Sequence, residues 1–206
     1  EYYRFVSGSD VVDPEATVAH GVAAMEYVVA MGCSGCRAVV DAAVLARTPE
    51  QRAAFGRLEY LVDQKMAVLP FSALCAYDLE ILGDNAKELM CLHPFVGEGP
   101  VGFRIYAERD NDFAIAGEID AAGYQAFTAA LQCIWPLVTG DKLVIDAHRL
   151  DFITHRELFA IEQLSAADGR PVVLRTARRT LLRLAELLEL HNVRVDKSPP
   201  LVGCAS

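Results

Sequence analysis

Leu143–Leu158, LVIDAHRLDFITHREL, is the stretch that decides how the chain is read. An apolar run from Leu143 to Ile145 ends in Asp146, and a short connector through His148 leads to a second apolar pair, Phe152 and Ile153. Thr154-His155-Arg156-Glu157 follows, a Thr with a Glu three residues on. That spacing is a capping box: the Thr154 hydroxyl accepts from the backbone N–H of Glu157, and the Glu157 carboxylate reaches back. A helix therefore starts here, with Leu158, Ile161 and Ser165 on one face and Leu164 beside it. A strand, a loop and a helix N-terminus presented to solvent make a natural site for an anion or a partner.

Upstream, Val101–Ala107 and Phe113–Ile119 read as strands joined by the polar turn Glu108–Asp112, a hairpin signal. Gly117-Glu118-Ile119-Asp120 closes the second strand, with Asp120 placed to cap a helix whose stripe is Phe127, Leu131 and Ile134. Downstream, Val172–Leu174 is the last clear strand, and Leu181, Leu184, Ala185 and Leu188 mark the buried face of a final helix. Arg175, Arg178, Arg179 and Arg183 cluster near its start, where the helix dipole disfavours cations. Two readings of them stand: solvated surface arginines, or contacts to an acidic partner or an acidic patch of the first half. This order gives a small mixed sheet with helices on one side. Pro94–Pro100, with Gly97 and Gly99, reads as a linker, and Ser198–Ser206 as a tail.

The second half resembles the STAS domain, the fold of bacterial anti-anti-sigma factors. The resemblance runs from about Pro100 to Lys197 and rests on Ile115-Ala116-Gly117-Glu118-Ile119-Asp120, Val144-Ile145-Asp146 and the Phe152-Ile153 pair. It implies a docking surface for an anti-sigma factor or a related switch kinase, built from Asp120, Asp146, His148, Thr154, His155, Arg156 and Glu157. In that family a Ser at this loop is phosphorylated. Laid on the motif, Thr154, His155, Arg156 and Glu157 take the Asp, Ser, Ser and Gly positions, so no serine stands there. Thr154 is one residue early and is spoken for as a cap. His155 reads either as a pH-sensitive contact or as a solvated first-turn histidine.

In the first half, Asp13-Pro14-Glu15 opens a helix with the stripe Val18, Val22, Met25 and Val29, stopped by Gly32. A strand follows at about Cys36–Val40, ending in Asp41. Thr48-Pro49-Glu50-Gln51 is a second capping box, opening a helix with the stripe Phe55, Leu58, Val62 and Met66. Ser72–Tyr77 is a second strand, ending in Asp78, and a helix from about Asp84 to Leu92 stops before His93-Pro94. This alternation implies a parallel sheet with helical cover, in which ligands bind beyond the carboxyl ends of strands. Asp41 and Asp78 sit at that edge. They either flank one pocket, with Arg37, Tyr77 and His93 nearby, or each caps the turn after its strand. Glu59 lies beside the buried stripe of its helix, reaching a pocket or water.

Asp13-Pro14-Glu15, Gly32 to Arg37 with Asp41, Glu59, Leu74-Cys75-Ala76-Tyr77-Asp78 and His93-Pro94 occur in an order that resembles the MEDS domain. That is a sensory domain named for methanogens, methylotrophs and a dichloromethane-responsive regulator. The resemblance implies small-molecule sensing and a fold related to RecA- and KaiC-like ATPases, with the family's N-terminal portion absent here. The expected fold is therefore α/β. A partial RecA/KaiC-like parallel sensory domain over residues 1–97 precedes a STAS fold over 98–197 and a tail over 198–206.

Residues 1–97 carry 13 acidic and 7 basic side chains, and 98–206 carry 15 and 12, for a net charge of −9 over the chain. Neither half has the basic balance of a nucleic-acid binder. No apolar run approaches the ~20 residues of a membrane span, and no signal-peptide pattern is present, so the chain reads as cytoplasmic. Six cysteines stand at 33, 36, 75, 91, 133 and 204, of which only Cys33 and Cys36 are close. That single C-x-x-C lacks a second pair, and the reading is reduced structural thiols with no metal and no cofactor. No phosphate-binding G-x-x-x-x-G-K-[ST] occurs.

The leading expectation is a non-catalytic regulator, with a ligand-sensing half coupled to a partner-binding half. Two alternatives stand beside it. One is a scaffold with both halves degenerate, serving oligomerisation. The other is an enzyme using Asp41, Asp78 and His93.

Overall fold

The computed structural model describes residues 3–97, 99, 101–108 and 111–199. Parts of the expected linker (Glu98, Pro100), hairpin turn (Arg109, Asp110) and tail (Pro200–Ser206) lie outside the described residues.

Helix α1 (Pro14–Ala30) begins on Asp13, whose carboxylate accepts from Ala16 N at 2.9 Å, with Pro14 pre-set at the first helical position. Thr17 and Met25 are buried and Val18 and Val22 half-buried, whereas Val29, expected on the same stripe, is exposed. The stripe thus ends at Met25.

Strands β1 (Cys36–Asp41) and β2 (Phe71–Ala76) are parallel neighbours, with Cys36 opposite Phe71 and Asp41 opposite Ala76. Gly35 lets the chain enter β1: a Cβ there would lie 2.4 Å from the Pro70 carbonyl oxygen, the acceptor of Cys36 N at 3.0 Å.

Helix α2 (Pro49–Met66) makes the crossover between the two strands and starts with a closed capping box. Gln51 N donates to Thr48 Oγ1 at 3.1 Å and Thr48 N to Gln51 Oε1 at 3.1 Å. The expected stripe holds: Phe55 and Leu58 are buried, and Val62 and Met66 half-buried. A second buried face, unseen in the pattern, carries Gly56, Tyr60 and Asp63. It meets the second half. Tyr60 OH donates to the Asp112 carbonyl at 2.6 Å and Asp63 Oδ2 accepts from Ala107 N at 2.6 Å. A Cβ on Gly56 would stand 3.3 Å from Cys133 Sγ.

In place of one helix over 84–92 there are two single turns of helix, α3 (Leu79–Leu82) and α4 (Lys87–Met90), with a 3-10 turn between them. Gly83 at φ +56° ends the first.

The second half is a six-stranded sheet. Its strands are β3 (Phe103–Tyr106), β4 (Phe113–Ile119), β5 (Leu143–Asp146), β6 (Leu150–Ile153), β7 (Val172–Thr176) and β8 (Val193–Lys197), and its order is β3-β4-β5-β7-β8. β3 runs antiparallel to β4, the expected hairpin, and the other pairings are parallel. β4 pairs β5 at its start and β6 at its end, with a register shift at Gly117–Glu118. Helices α5 (Tyr124–Ile134), α6 (His155–Asp168) and α7 (Arg179–Leu188) pack in sequence, α5 on α6 and α6 on α7. α5 also meets α2 and α4. Tyr60, Cys91 and Leu92 of the first half belong to the same apolar core as Phe103, Ile115, Phe127 and Ile145. A smaller cluster around Phe55, Leu58 and Leu89 lies within the first half.

Asp120, expected to cap α5, instead pins the turn before it by accepting from Gly123 N at 3.0 Å, and Gly123 opens the helix without a side-chain cap. Three of the four arginines meet second-half partners. Arg178 pairs with Asp151, Arg183 with Glu186 at 3.0 Å, and Arg175 donates to Asn111 Oδ1 at 3.0 Å.

Strand β8 was not legible because only Val193 and Val195 are apolar in it. Glu162 of α6 sets it in place, accepting from Asn192 N at 3.0 Å, Val193 N at 2.9 Å and Asn192 Nδ2 at 2.9 Å. Burial alone would raise the Glu162 carboxyl, but these donors hold it below its ordinary value. Its contribution is therefore present at neutral pH and lost as pH falls through that depressed value. Glu162→Ala is expected to cost about 1–2 kcal/mol, read as a fall of several degrees in thermal unfolding at pH 7. An unchanged midpoint would show that water replaces the carboxylate without loss.

Among the described residues no helix is long and apolar enough to cross a membrane.

Candidate functional site

The alternation of β2 turns Cys75 inward, and Tyr77 follows it on the same side, while Leu74, Ala76 and Asp78 face out. Glu59 approaches from α2. His93 comes from the segment after α4, its Nδ1 held 3.2 Å from the Leu89 carbonyl. Tyr77 OH donates to Glu59 Oε1 at 2.8 Å. Cys75 Sγ lies 3.7 Å from Glu59 Oε2, and His93 Nε2 lies 3.4 Å from the same oxygen. The last contact has ion-pair distance but lacks hydrogen-bond geometry, and Nε2 is buried without a hydrogen-bond partner. The Tyr77 and His93 rings meet edge to face, centroids 5.7 Å apart. Glu59 is only 7% exposed, so this carboxylate depends on its neighbours for solvation.

Burial first, and the Glu59 charge second, push the Cys75 thiol and the Tyr77 phenol well up, so both stay neutral donors. Burial works against a charged His93. The Glu59 contact and the Leu89 carbonyl outweigh it and raise the imidazole above its ordinary value. Asp63, one turn beyond Glu59, is raised by burial to about 6 despite its bond from Ala107 N. Among the described residues, Glu59, Cys75 and His93 are the set whose metal-ligating atoms converge, all within 4.8 Å of one another. Cys75, Tyr77 and His93 form the polar floor of an open cleft of about 270 Å³, walled by Met90, Phe95 and Val96.

Of the six residues singled out in this half, the structure joins three: Glu59, Tyr77 and His93. The other three stand apart from the cleft. Asp41 accepts from Ala43 N at 3.1 Å and Asp78 caps α3 through Glu80 N at 2.8 Å, so both act as turn caps. Arg37 lies on the exposed face of β1. Of the triplet Asp41, Asp78 and His93, only His93 lines the cleft. Cys75 and Asp63 were missed. The period of two from Tyr77 pointed to Cys75, and the one-turn spacing from Glu59 pointed to Asp63.

In the second half, Asp146 and His148 turn inward. Asp146 Oδ1 takes His148 N at 2.8 Å and stands 2.5 Å from its Nδ1, while Nε2 meets the Ser198 carbonyl at 2.8 Å. The pair fastens the end of β8 to the β5–β6 connection. Thr154 and Glu157 form the capping box. Glu157, fully buried, accepts Thr154 N at 2.9 Å and the Thr154 hydroxyl at 2.5 Å, and Thr154 Oγ1 accepts Arg156 N at 3.2 Å. The Arg156 guanidinium lies 4.2 Å over the Tyr124 ring. His155 is exposed, edge-on to Phe159, with half-exposed Phe152 on the strand before it. His155 and Arg156 are thus the two of the seven that combine surface exposure with aromatic neighbours.

Residues 1–94 match a sensory family. The family model is described as MEDS, the MEthanogen/methylotroph, DcmR Sensory domain. The match takes in the whole buried cluster of Glu59, Asp63, Cys75, Tyr77 and His93. No curated protein and no solved structure matches the chain.

Proposed function

We propose that this chain is a non-catalytic signalling regulator. Its MEDS segment takes a small molecule in the cleft over Cys75, Tyr77 and His93. Residues 98–197 form the output half, a STAS-like surface that docks an anti-sigma factor or related switch kinase, and 198–206 form a tail. The observation that carries the reading is the double use of α2. Glu59 stands under the cleft, and Tyr60 and Asp63 of the same helix bond to Asp112 and Ala107 of the output half. A ligand that displaces Glu59 therefore displaces a helix fastened to the β3–β4 hairpin. On the output side, Thr154 is occupied as a cap and no serine stands at the helix start, so control by ligand replaces control by phosphate.

The test is thermal unfolding against a panel of small haloalkanes, alcohols, methylamines and thiols, run beside a pull-down with a His155→Ala/Arg156→Ala variant. A ligand at about a hundred times its dissociation constant adds about 2.7 kcal/mol, several degrees in the midpoint. An anti-sigma partner recovered by the wild type and lost in the variant is the expected output result. A panel that moves nothing overturns the sensing reading, and a partner indifferent to the double variant overturns the docking surface.

A second reading, a self-associating scaffold, is favoured by the outer face of β1 and β2, where Val39 is 80% and Leu74 66% exposed. It expects a mass that rises with concentration and no ligand effect.

A further inference from the structure

We propose that Glu59 Oε2, Cys75 Sγ and His93 Nε2 bind one zinc-class divalent ion, with the fourth coordination position open to the cleft. This goes beyond small-molecule sensing and stands without it.

The argument begins with the acceptors. The Leu89 carbonyl only accepts, so His93 Nδ1 carries the proton in their 3.2 Å contact. The neutral ring then presents the Nε2 lone pair to a carboxylate oxygen 3.4 Å away, acceptor against acceptor, in a buried place. Such a pair needs a cation between its members. A proton on Nε2 is one answer, but the contact lacks the geometry of a hydrogen bond. A third group stands beside them: the Cys75 thiol donates to the same carboxylate oxygen, Sγ 3.7 Å away. A metal ion that displaced the thiol proton would gain that sulfur as a third ligand.

Distances agree. A tetrahedral zinc with nitrogen and oxygen at about 2.0–2.1 Å and sulfur at about 2.3 Å holds its ligand atoms about 3.3–3.6 Å apart. Two separations fall close to this spacing, 3.4 Å for nitrogen to oxygen and 3.7 Å for sulfur to oxygen, and sulfur and nitrogen, within 4.8 Å of each other, would draw together on binding. Both ligating groups with a second polar atom have it fixed: Nδ1 by Leu89, and Glu59 Oε1 by the Tyr77 hydroxyl at 2.8 Å. Outer contacts of this kind orient metal ligands and set their tautomer.

The donor set chooses the metal. A thiolate disfavours magnesium and calcium, and one sulfur, one imidazole nitrogen and one carboxylate suit zinc. Three protein ligands leave one position, and the cleft supplies its access. An occupant there would be a small molecule with a sulfur or anionic oxygen donor. On binding, the zinc–sulfur bond forms, the Cys75 S–H bond breaks and its proton passes to solvent, while His93 enters neutral. The C-x-x-C pair is a poor competitor, because no His, Asp or Glu joins Cys33 and Cys36 in a converging set among the described residues.

The test uses the full chain, stripped with a chelator and titrated with Co²⁺ as the spectroscopic probe. The expected result is one equivalent bound, with a sulfur-to-cobalt charge-transfer band and the intense visible bands of a tetrahedral ion, displaced by Zn²⁺. Cys75→Ala should lose the charge-transfer band, and Cys33→Ser/Cys36→Ser should keep it. Tyr77→Phe, which removes only an outer contact, should weaken binding by about 10- to 100-fold. A readout without variants guards against misfolding: Zn²⁺ should protect Cys75 from alkylation, located by peptide mass spectrometry, and leave Cys33 reactive. The proposal is overturned by a wild type that gives no band, by a band that survives Cys75→Ala or disappears in Cys33→Ser/Cys36→Ser, or by zinc that leaves Cys75 alkylation unchanged.

Discussion

Gly117→Ala should lower the thermal midpoint by about 10 °C, an effect on the order of 3–5 kcal/mol for a chain of this size. Gly117 sits at φ +86°, a region that disfavours a side chain. A Cβ there would lie 2.3 Å from the Gly102 carbonyl oxygen and 3.1 Å from Phe103 Cα, both backbone. Backbone does not swing aside as a side-chain tip does. The Gly102 carbonyl also accepts from Glu118 N at 2.8 Å, and Phe103 opposite Gly117 begins the β3–β4 ladder. Relieving the clash therefore opens the hairpin that receives Tyr60 and Asp63 of α2. Gly97→Ala, with nothing within 4 Å of its added carbon, is the matched control and should stay within about 0.5 kcal/mol of wild type. A Gly117→Ala variant melting with the wild type would mean that the bulge relaxes without cost.

The elements that read clearly from sequence are those whose signal is local. The capping boxes at Thr48 and Thr154 close as their spacing predicted, because each needs only four consecutive residues. The parallel pairing of β1 and β2 followed from a helix between two apolar runs. What failed depended on partners far along the chain. The second buried face of α2 carries a glycine, a tyrosine and an aspartate, which no hydrophobic period marks as buried. They are inside because α5 and the β3–β4 hairpin lie against them. β8 was hidden because Glu162, thirty residues away, sets its start through hydrogen bonds rather than apolar burial. The helix expected over 84–92 is shortened to 87–90, because residues 83–86 wind as a 3-10 turn instead.

The site follows the same division. Tyr77 and His93 were visible as motif residues, and Glu59 was visible as a carboxylate near a buried stripe. Their meeting was not visible, because it depends on the angle at which α2 crosses β2 and on a carbonyl at Leu89 that turns the imidazole. Asp41 and Asp78 drew attention as carboxylates at strand ends, yet each accepts a backbone N–H two residues on. A carboxylate beside a strand end is a turn cap before it is a ligand. His148 shows the converse. A histidine read as partner-facing is spent on Asp146 and Ser198, inside the protein.

Asp63→Asn should make the chain more stable than wild type at neutral and alkaline pH, by about 3 kcal/mol at pH 8, and should leave it nearly unchanged at pH 4. Asp63 is buried at the join between α2 and the second half, and burial raises its carboxyl from 3.8 to about 6. The bond from Ala107 N and the nearby His93 lower it, and Glu59 raises it, but burial prevails. A folded value above the unfolded one means that the folded chain binds the proton more tightly. The stabilisation is therefore full below about pH 4 and is lost as pH rises through 6. Asparagine keeps an oxygen for Ala107 N and carries no charge, so the variant escapes that loss. The measurement is denaturant unfolding from pH 4 to 8 with a chelator present, so that no metal at Glu59 or His93 contributes. The difference between the two chains should grow across pH 4–6 and level off above. Two curves that run parallel would mean that the folded chain keeps this carboxylate hydrated. The 2.6 Å contact with Ala107 would then be a surface bond, and α2 would be a weaker link between the cleft and the hairpin than its burial implies.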